Sequence, residues 1–370
     1  MRIGLDGMPL TELKTGIGAY TFELARALAA QAPLDEFELV SPRAFQTGAM
    51  VDGKPANLSL VYSKPNAFQR RWWTFGLPSY IRRTSMALFH GTNFEVPLRG
   101  NCPTVVTIHD LSLLLHSNTH EARAVLRARL RLPRMARRAT MVITDSESVR
   151  REVCERLDVA GDKVVAIPLA PQRGFGPVTP DVAVEVRRRL GVEDEFLLFA
   201  GTIEPRKNLI TLVRAFEEVL RTTELRPQLV VAGKIGWKSK ELLARIEGHE
   251  RIKLIGYAPD DDLRALYSSC RAFIYPSIYE GFGLPPLEAM ACGAPVIASA
   301  VPSVTPAVAR VISSTDVHGL ARSIVELLTD PRARETLSRA GLKHAATFSW
   351  ERTAKLTREV YDEALNRSAT

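Results

Sequence analysis

Apolar and polar positions alternate along this chain in two registers. Short runs rich in valine, isoleucine, leucine and phenylalanine recur at residues 2–6, 37–41, 58–62, 86–90, 104–109 and 141–144. Several are apolar on both faces, as strands buried within a parallel sheet are. Between the first two, Tyr20, Leu24, Ala27 and Leu28 fall at i, i+4, i+7 and i+8, one stripe of a helix. The second half repeats the plan. Strands are predicted at 196–201, 229–233, 252–255, 272–275 and 295–299, with helices at 209–220, 240–247, 260–269 and 286–291. Asp260 is placed to cap its helix and Gly293 to stop the last of these. Strand and helix in alternation argue for βαβ units on parallel sheets.

Residues 168–180 hold four prolines and two glycines, the strongest linker signal in the chain. They divide it into residues 1–170 and 171–345, each read as a doubly wound α/β domain. The two domains are expected to face a cleft, because ligands bind where the carboxyl ends of such strands open. A last segment, 346–370, carries Phe348, Trp350, Leu356, Val360, Tyr361 and Leu365 in a helical stretch. A chain of 370 residues is about two domains long.

Composition removes several classes. With 46% apolar and 24% charged residues, the chain is neither disordered nor a disulfide scaffold. No run approaches the 18 or so apolar residues of a spanning helix. The N-terminus reads MRIGLDG, a strand pattern and not a signal peptide. Cys102, Cys154, Cys270 and Cys292 stand far apart without metal-ligand spacing, so the cytoplasm is the expected compartment. The net charge of +8 implies an anionic partner. Nucleic acid, phosphorylated metabolites and an anionic membrane surface would all meet it.

Four segments carry candidate chemistry. YPSIYEGFGLPPLEAMACG, residues 275–293, runs from a buried strand end through a glycine loop into a helix predicted to begin near Pro286. Gly281 and Gly283 let backbone N–H groups approach a ligand, and the helix start favours phosphate. Glu280 and Glu288 stand with seven residues between them. Glu288, expected in the first turn, suits a ribose diol, yet both carboxylates also fit as ordinary partners of the helix dipole. GTIEPRKN, residues 201–208, puts Arg206 and Lys207 at a strand-to-helix junction, as a diphosphate clamp or as a solvated charge pair. KTGIG, residues 14–18, opens the first helix as a phosphate-facing loop or a plain turn, and it lacks the dinucleotide fingerprint. His109, with Asp110, ends an apolar strand, where it contacts a sugar hydroxyl or simply caps the strand.

Taken together, these segments resemble the retaining nucleotide-sugar glycosyltransferases of family 4, a large group with two Rossmann-like domains in the GT-B arrangement. The resemblance spans essentially the whole chain and is most specific over residues 201–299, where GTIEPRKN and PSIYEGFGLPPLEAMACGAPVIAS follow the family pattern. It implies that Arg206 and Lys207 clamp the donor diphosphate in place of a metal. Glu288 would then hold the ribose, and Glu280 would face the donor sugar as a positioning and charge-stabilising group. Phe282, Gly283 and Leu284 would line the sugar and phosphate site through their backbone. Gly18 would approach the phosphates and His109 the donor sugar from the first domain. The C-terminal helix would cross back to the first domain.

LDGMPL, TGIGAY and TIHDLS look most like bacterial mannosyltransferases of polysaccharide and O-antigen assembly. That resemblance implies GDP-mannose as donor and a glycan on a lipid carrier as acceptor, with no metal and no cofactor. The location would be cytoplasmic, with peripheral contact at the inner face of the cytoplasmic membrane. A UDP-sugar donor and a noncatalytic nucleotide-sugar-binding relative are the alternatives. Residues 300–313 depart from the family pattern, being compressed and free of acidic residues. The departure implies either a differently built edge or a missing loop.

Two basic segments remain. Residues 122–139 hold seven arginines, no acid and five large apolar residues, which suits either a helix on an anionic membrane or a solvated helix face. QRRWWTF, residues 69–75, offers tryptophans to an interface, to acceptor sugars or to the core. Nucleic acid is not expected as a partner, since no helix-turn-helix, zinc-finger or RNA-module signature is present.

Overall fold

The computed structural model describes residues 1–11, 16–46, 53–64, 71–100 and 102–369. The chain forms two compact units. One comprises Met1–Leu111, Leu126–Gln172 and Ser349–Thr370, the other Ser112–Val125 and Arg173–Phe348. Residues 112–125, read in the sequence with the first half, cluster with the second unit.

The first unit is built on seven strands: β1 (Arg2–Asp6), β2 (Glu36–Ser41), β3 (Leu58–Tyr62), β4 (Leu88–Gly91), β5 (Thr104–Ile108), β6 (Met141–Thr144) and β7 (Val164–Ala166). They lie in the order β3-β2-β1-β4-β5-β6-β7, and every pairing is parallel. β1 and β5 are buried along nearly their whole length, which is why their sequences carry no alternation. β4 starts two residues later than predicted. Ser85 adopts a left-handed conformation (φ 51°) that ends the helix Leu77–Thr84, and Met86 folds back to donate its N–H to the Ile81 carbonyl at 3.2 Å. The C-terminal helix, Trp350–Ala369, belongs to this unit and packs on the helix Gly16–Gln31. Its Trp350 indole donates to the Pro171 carbonyl at 2.9 Å, and the Thr353 hydroxyl to that of Pro168 at 2.8 Å.

The second unit repeats the winding with β8 (Phe196–Ala200), β9 (Gln228–Ala232), β10 (Ile252–Gly256), β11 (Ala272–Tyr275), β12 (Val296–Ser299) and β13 (Arg310–Ile312). The order is β10-β9-β8-β11-β12-β13, again parallel throughout. Phe199, Phe216, Ile274 and Ile324 are fully buried in its core. One helix cap and one helix start differ from expectation. Pro259 takes the capping position and Asp260 becomes the first helical residue, without a side-chain cap; it and its two acidic neighbours instead complement the helix dipole. The helix predicted from Pro286 begins at Leu284, with Gly283 before it and the prolines second and third, where a missing N–H costs nothing. Gly293, at φ 85°, follows the helix end as expected. Among the described residues no helix is long and apolar enough to cross a membrane.

Candidate functional site

In the second sheet β8 and β11 are neighbours, yet the chain leaves them toward opposite edges. Loops diverge at such a point and leave a crevice at the strand carboxyl ends. The two loops that meet there are residues 201–208, after β8, and residues 276–283, after β11.

Asn208 fixes the first loop. It sits in the left-handed region (φ 55°) at the start of the helix Leu209–Thr222. Its amide nitrogen donates to the carbonyls of Pro276 (3.1 Å) and Ser314 (2.6 Å), and its oxygen accepts from the Thr211 hydroxyl at 2.8 Å. Ile278 adds a backbone bond to the Arg206 carbonyl at 2.8 Å. One short side chain thus ties three loops together beside the crevice.

Glu280 is the electrostatic centre. Lys207 Nζ lies 2.7 Å from its Oε1 and Arg206 Nη1 lies 3.0 Å from its Oε2. The Ser277 hydroxyl donates to Oε1 at 2.5 Å and the Tyr275 hydroxyl at 3.1 Å. Lys207 also donates to the Tyr275 oxygen, and Arg206 to the Tyr279 carbonyl at 2.9 Å. Burial would raise the Glu280 carboxyl, but Lys207 and then Arg206 outweigh it and pull the pKa down to about 2. Burial depresses the Lys207 ammonium, and Glu280 opposes that shift. Glu204, 2.8 Å from Arg206 Nη2, completes a cluster of two acids and two bases; its own carboxyl is raised by burial. Such a cluster holds two cations in a fixed place before any anion arrives.

The glycine loop lies against it. Gly283 (φ 97°) caps the helix Leu284–Ala291, and its carbonyl accepts from the Ser303 hydroxyl at 2.7 Å. The Phe282 ring packs edge-on against Phe348, so only the backbone of this residue is left for a ligand. Glu288 falls in the second helical turn and not the first, because the helix starts earlier than predicted; it is buried near Tyr267. The compressed segment forms an ordered turn from β12 to β13. Val301 and Ser303 are buried, and the Ser303 N–H donates to the Phe282 carbonyl at 2.9 Å. The turn thus presses the small side chains of Val301 and Ser303 onto the glycine loop.

The other predicted residues lie in the first unit. Gly18 is buried within the first turn of the helix Gly16–Gln31, so it and Gly16 are helical and not part of a flexible loop; Lys14 and Thr15 lie outside the described residues. Trp72 is buried in the core with Tyr80 and Met86, and the half-buried Trp73 packs against that cluster beside Phe89; Gln69 and Arg70 lie outside the described residues. His109 directly follows β5, with Nδ1 at 2.9 Å from Asp145 Oδ2 and Nε2 at 2.9 Å from the Thr92 carbonyl. The Thr92 carbonyl can only accept, so Nε2 carries the proton of that bond; with Asp145 ionised Nδ1 donates as well and the ring is an imidazolium, while burial raises the Asp145 carboxyl against the pull of His109. Burial lowers its pKa, but Asp145, the Thr92 carbonyl and Asp110 raise it on balance.

A histidine raised in the folded state stabilises most below its ordinary value of about 6.5, and that contribution fades as pH rises through the folded value. Asp145→Ala is expected to cost about 3 kcal/mol, the lower end for breaking a buried pair. Asp145→Asn should cost less, since an amide can donate to a neutral ring whose Nε2–H still reaches Thr92. Urea unfolding from about pH 6 to 9 checks this: the alkaline loss of stability should vanish in Asp145→Asn. An unchanged pH slope in that variant would contradict the imidazolium.

Sequence reasoning missed Tyr275, Ser277, Glu204 and Asn208, all inside the quoted motifs. Their convergence depends on β8 and β11 being neighbours, which no spacing reveals. It also missed residues 112–125 beside the loop. His116 lies against Tyr279, with ring centroids 5.0 Å apart, and the Trp237 indole donates to the Thr119 carbonyl at 2.8 Å.

Residues 185–344 match the family described as glycosyl transferases group 1, and residues 14–170 match glycosyltransferase family 4. The chain is 32% identical to the O-antigen chain mannosyltransferase B of Escherichia coli, over 98% of this chain and 99% of that protein. It is 33% identical to the serotype-specific mannosyltransferase WbdA of E. coli, over 75% of this chain and 36% of that one. Among solved structures, the sucrose-phosphate synthase of Thermosynechococcus elongatus superposes with a TM-score of 0.79 at 22% identity, covering 99% of each chain. Anabaena HepE in complex with UDP and glucose gives 0.75 at 18% identity, covering 98% of this chain and 99% of that one.

Proposed function

The chain belongs to glycosyltransferase family 4, and from that premise we propose that it is a retaining mannosyltransferase. It transfers mannose from GDP-mannose to a hydroxyl of a lipid-linked glycan in polysaccharide or O-antigen assembly. The observation that carries the reading is end-to-end similarity to an O-antigen chain mannosyltransferase, together with the charge cluster that this fold places at its switch point. Arg206 and Lys207 take the donor diphosphate and stabilise the negative charge that grows on it as the glycosidic bond breaks, the role a metal fills elsewhere. Glu280, held anionic at any physiological pH, faces the positive charge that develops at the sugar ring. The backbone around Gly283 lines the phosphates, and Glu288 holds the ribose. A lipid-linked acceptor places the reaction at the cytoplasmic membrane surface, where the arginine-rich helix Ala122–Arg138 makes peripheral contact.

The test is transfer to a diphospholipid-linked glycan from GDP-mannose, UDP-glucose and ADP-glucose in turn, with EDTA throughout and NMR of the new linkage. Mannose should appear in the product with the donor's anomeric configuration. Transfer from a UDP-sugar alone would keep the glycosyltransferase and discard mannose. Inverted product would discard retention.

A further inference from the structure

Residues 112–125 follow β5 in sequence but pack as part of the second unit. Two loops of that unit hold them. The first is the loop after β9, residues 233–239. Its Trp237 indole donates to the Thr119 carbonyl at 2.8 Å, and its Lys238 ammonium donates to the Asn118 carbonyl at 2.7 Å. The His120 ring stacks on Trp237 with centroids 5.6 Å apart. The second is the loop after β11, where His116 lies on Tyr279 with ring centroids 5.0 Å apart and planes inclined by 39°. In the sheet, β8 lies between β9 and β11. Its own loop, residues 201–208, is bonded to both flanks. The Ile203 N–H donates to the Lys234 carbonyl at 2.8 Å, and the Ile278 N–H to the Arg206 carbonyl at 2.8 Å. Residues 116–120 therefore run from one flank of the Arg206–Lys207 loop to the other.

This run is stiff. The Thr119 N–H and hydroxyl both donate to the His116 carbonyl, at 2.9 and 2.7 Å, and close a single tight turn over Ser117–Thr119. A turn anchored at Thr119 fixes where the His116 ring lies. Tyr279 receives that ring on its side chain, while its carbonyl accepts from Arg206 Nη1 at 2.9 Å. Glu280 lies 3.0 Å from the same nitrogen, and Glu204 lies 2.8 Å from Nη2. The backbone at Tyr279 thus helps to set the direction of the guanidinium fork. A planar fork meets a diphosphate through its angle as much as through its charge.

We propose that His116 is a positioning residue of the donor site: its ring, held by the turn on Trp237, packs against Tyr279 and keeps Arg206 aimed at the donor diphosphate. This role rests on the proposed diphosphate clamp at Arg206, and not on guanine, mannose or the acceptor. Inorganic pyrophosphate therefore serves as a probe beside GDP.

The experiment is calorimetric titration of GDP and of pyrophosphate into the full chain, with EDTA present. His116→Ala should weaken both by roughly fivefold to tenfold, the worth of one aromatic contact. His116→Phe, which keeps a flat ring on Tyr279, should bind as the wild type does. His318→Ala, an exposed histidine of the same unit, should also leave binding unchanged. In an Arg206→Gln background, His116→Ala should weaken the ligands no further, because its effect passes through the guanidinium. Hydrogen exchange adds a readout without any ligand: residues 276–283 should exchange faster in His116→Ala and return to the wild-type rate in His116→Phe. The positioning role is overturned if His116→Ala binds both ligands as the wild type does, or if His116→Phe binds as weakly as His116→Ala. It is equally overturned by an undiminished loss in the Arg206→Gln background or by unchanged exchange. A wild type that binds neither ligand overturns the clamp and this role with it. Binding of pyrophosphate but not GDP discards guanine alone, and the pyrophosphate titrations then decide the role.

Discussion

Lys207→Met is expected to lower kcat/KM by about 10²–10³-fold, the range for removing one preorganised donor from a developing anion. Glu280→Gln is expected to lower kcat by a similar factor while leaving nucleotide affinity equal or tighter. The two effects separate because the same two cations serve two partners. Lys207 and Arg206 are paired with Glu280, at 2.7 and 3.0 Å. A diphosphate must draw charge from them in competition with that carboxylate. Removing Lys207 takes a partner from the ligand, whereas removing the charge of Glu280 frees both cations for it. On the proposed function, the developing charge on the sugar would lose the carboxylate that faces it. Glutamine keeps the shape, and Ser277 and Tyr275 remain as neighbours, so both variants should fold. Steady-state kinetics together with nucleotide inhibition constants give the split. Glu280→Gln weakening the nucleotide as much as Lys207→Met does would mean that the carboxylate holds the donor rather than balancing charge.

Gly283→Ala carries the largest structural effect, expected at about 2–5 kcal/mol and accompanied by loss of activity. Two independent causes add. The residue lies at φ 97°, where a Cβ crowds its own backbone, a cost of about 1–2 kcal/mol. That Cβ would also fall 2.7 Å from Ser303 Oγ and 2.8 Å from Val301 Cγ2, inside contact distance of a buried turn. Overpacking of this kind costs about 1–3 kcal/mol. Truncating both neighbours, Val301→Ala and Ser303→Ala, in the Gly283→Ala background should recover part of the loss and never all of it, because the backbone component stays. Urea unfolding of the single and combined variants checks this. A single variant within about 0.5 kcal/mol of wild type would contradict the close approach of the turn to the loop.

Long buried strands were the most legible part of the fold. β1, β6 and β11 appear where the apolar runs placed them, because burial on both faces leaves an uninterrupted apolar signature; β3, a partly exposed edge strand, also falls where its run placed it. β7 and β13 did not announce themselves: each is a three-residue strand at a sheet edge, too short to show any period. The helix after Gly283 starts two residues before the predicted Pro286, and over 260–269 the bounds held while Pro259 displaced Asp260 from the cap. In the site, Arg206, Lys207 and Glu280 were legible from their motifs, and the structure joins them into one network. What the chain could not disclose is how they are held. Tyr275, Ser277 and Asn208 act through contacts across some seventy residues or a tight loop, and such contacts exist only once β8 and β11 lie side by side. The turn of residues 300–309 was equally opaque, since loss of the family's usual residues says nothing of the valine and serine that replace them.

The most direct test of the donor site is calorimetric titration of GDP into the wild type and into Lys207→Met, with EDTA in every solution. The Arg206–Lys207–Glu280 cluster predicts saturable one-to-one binding to the wild type without metal. It also predicts affinity at least roughly tenfold weaker in the variant, the equivalent of one charge-assisted hydrogen bond. Equal affinity in the two proteins, or binding that appears only when magnesium is restored, would contradict it.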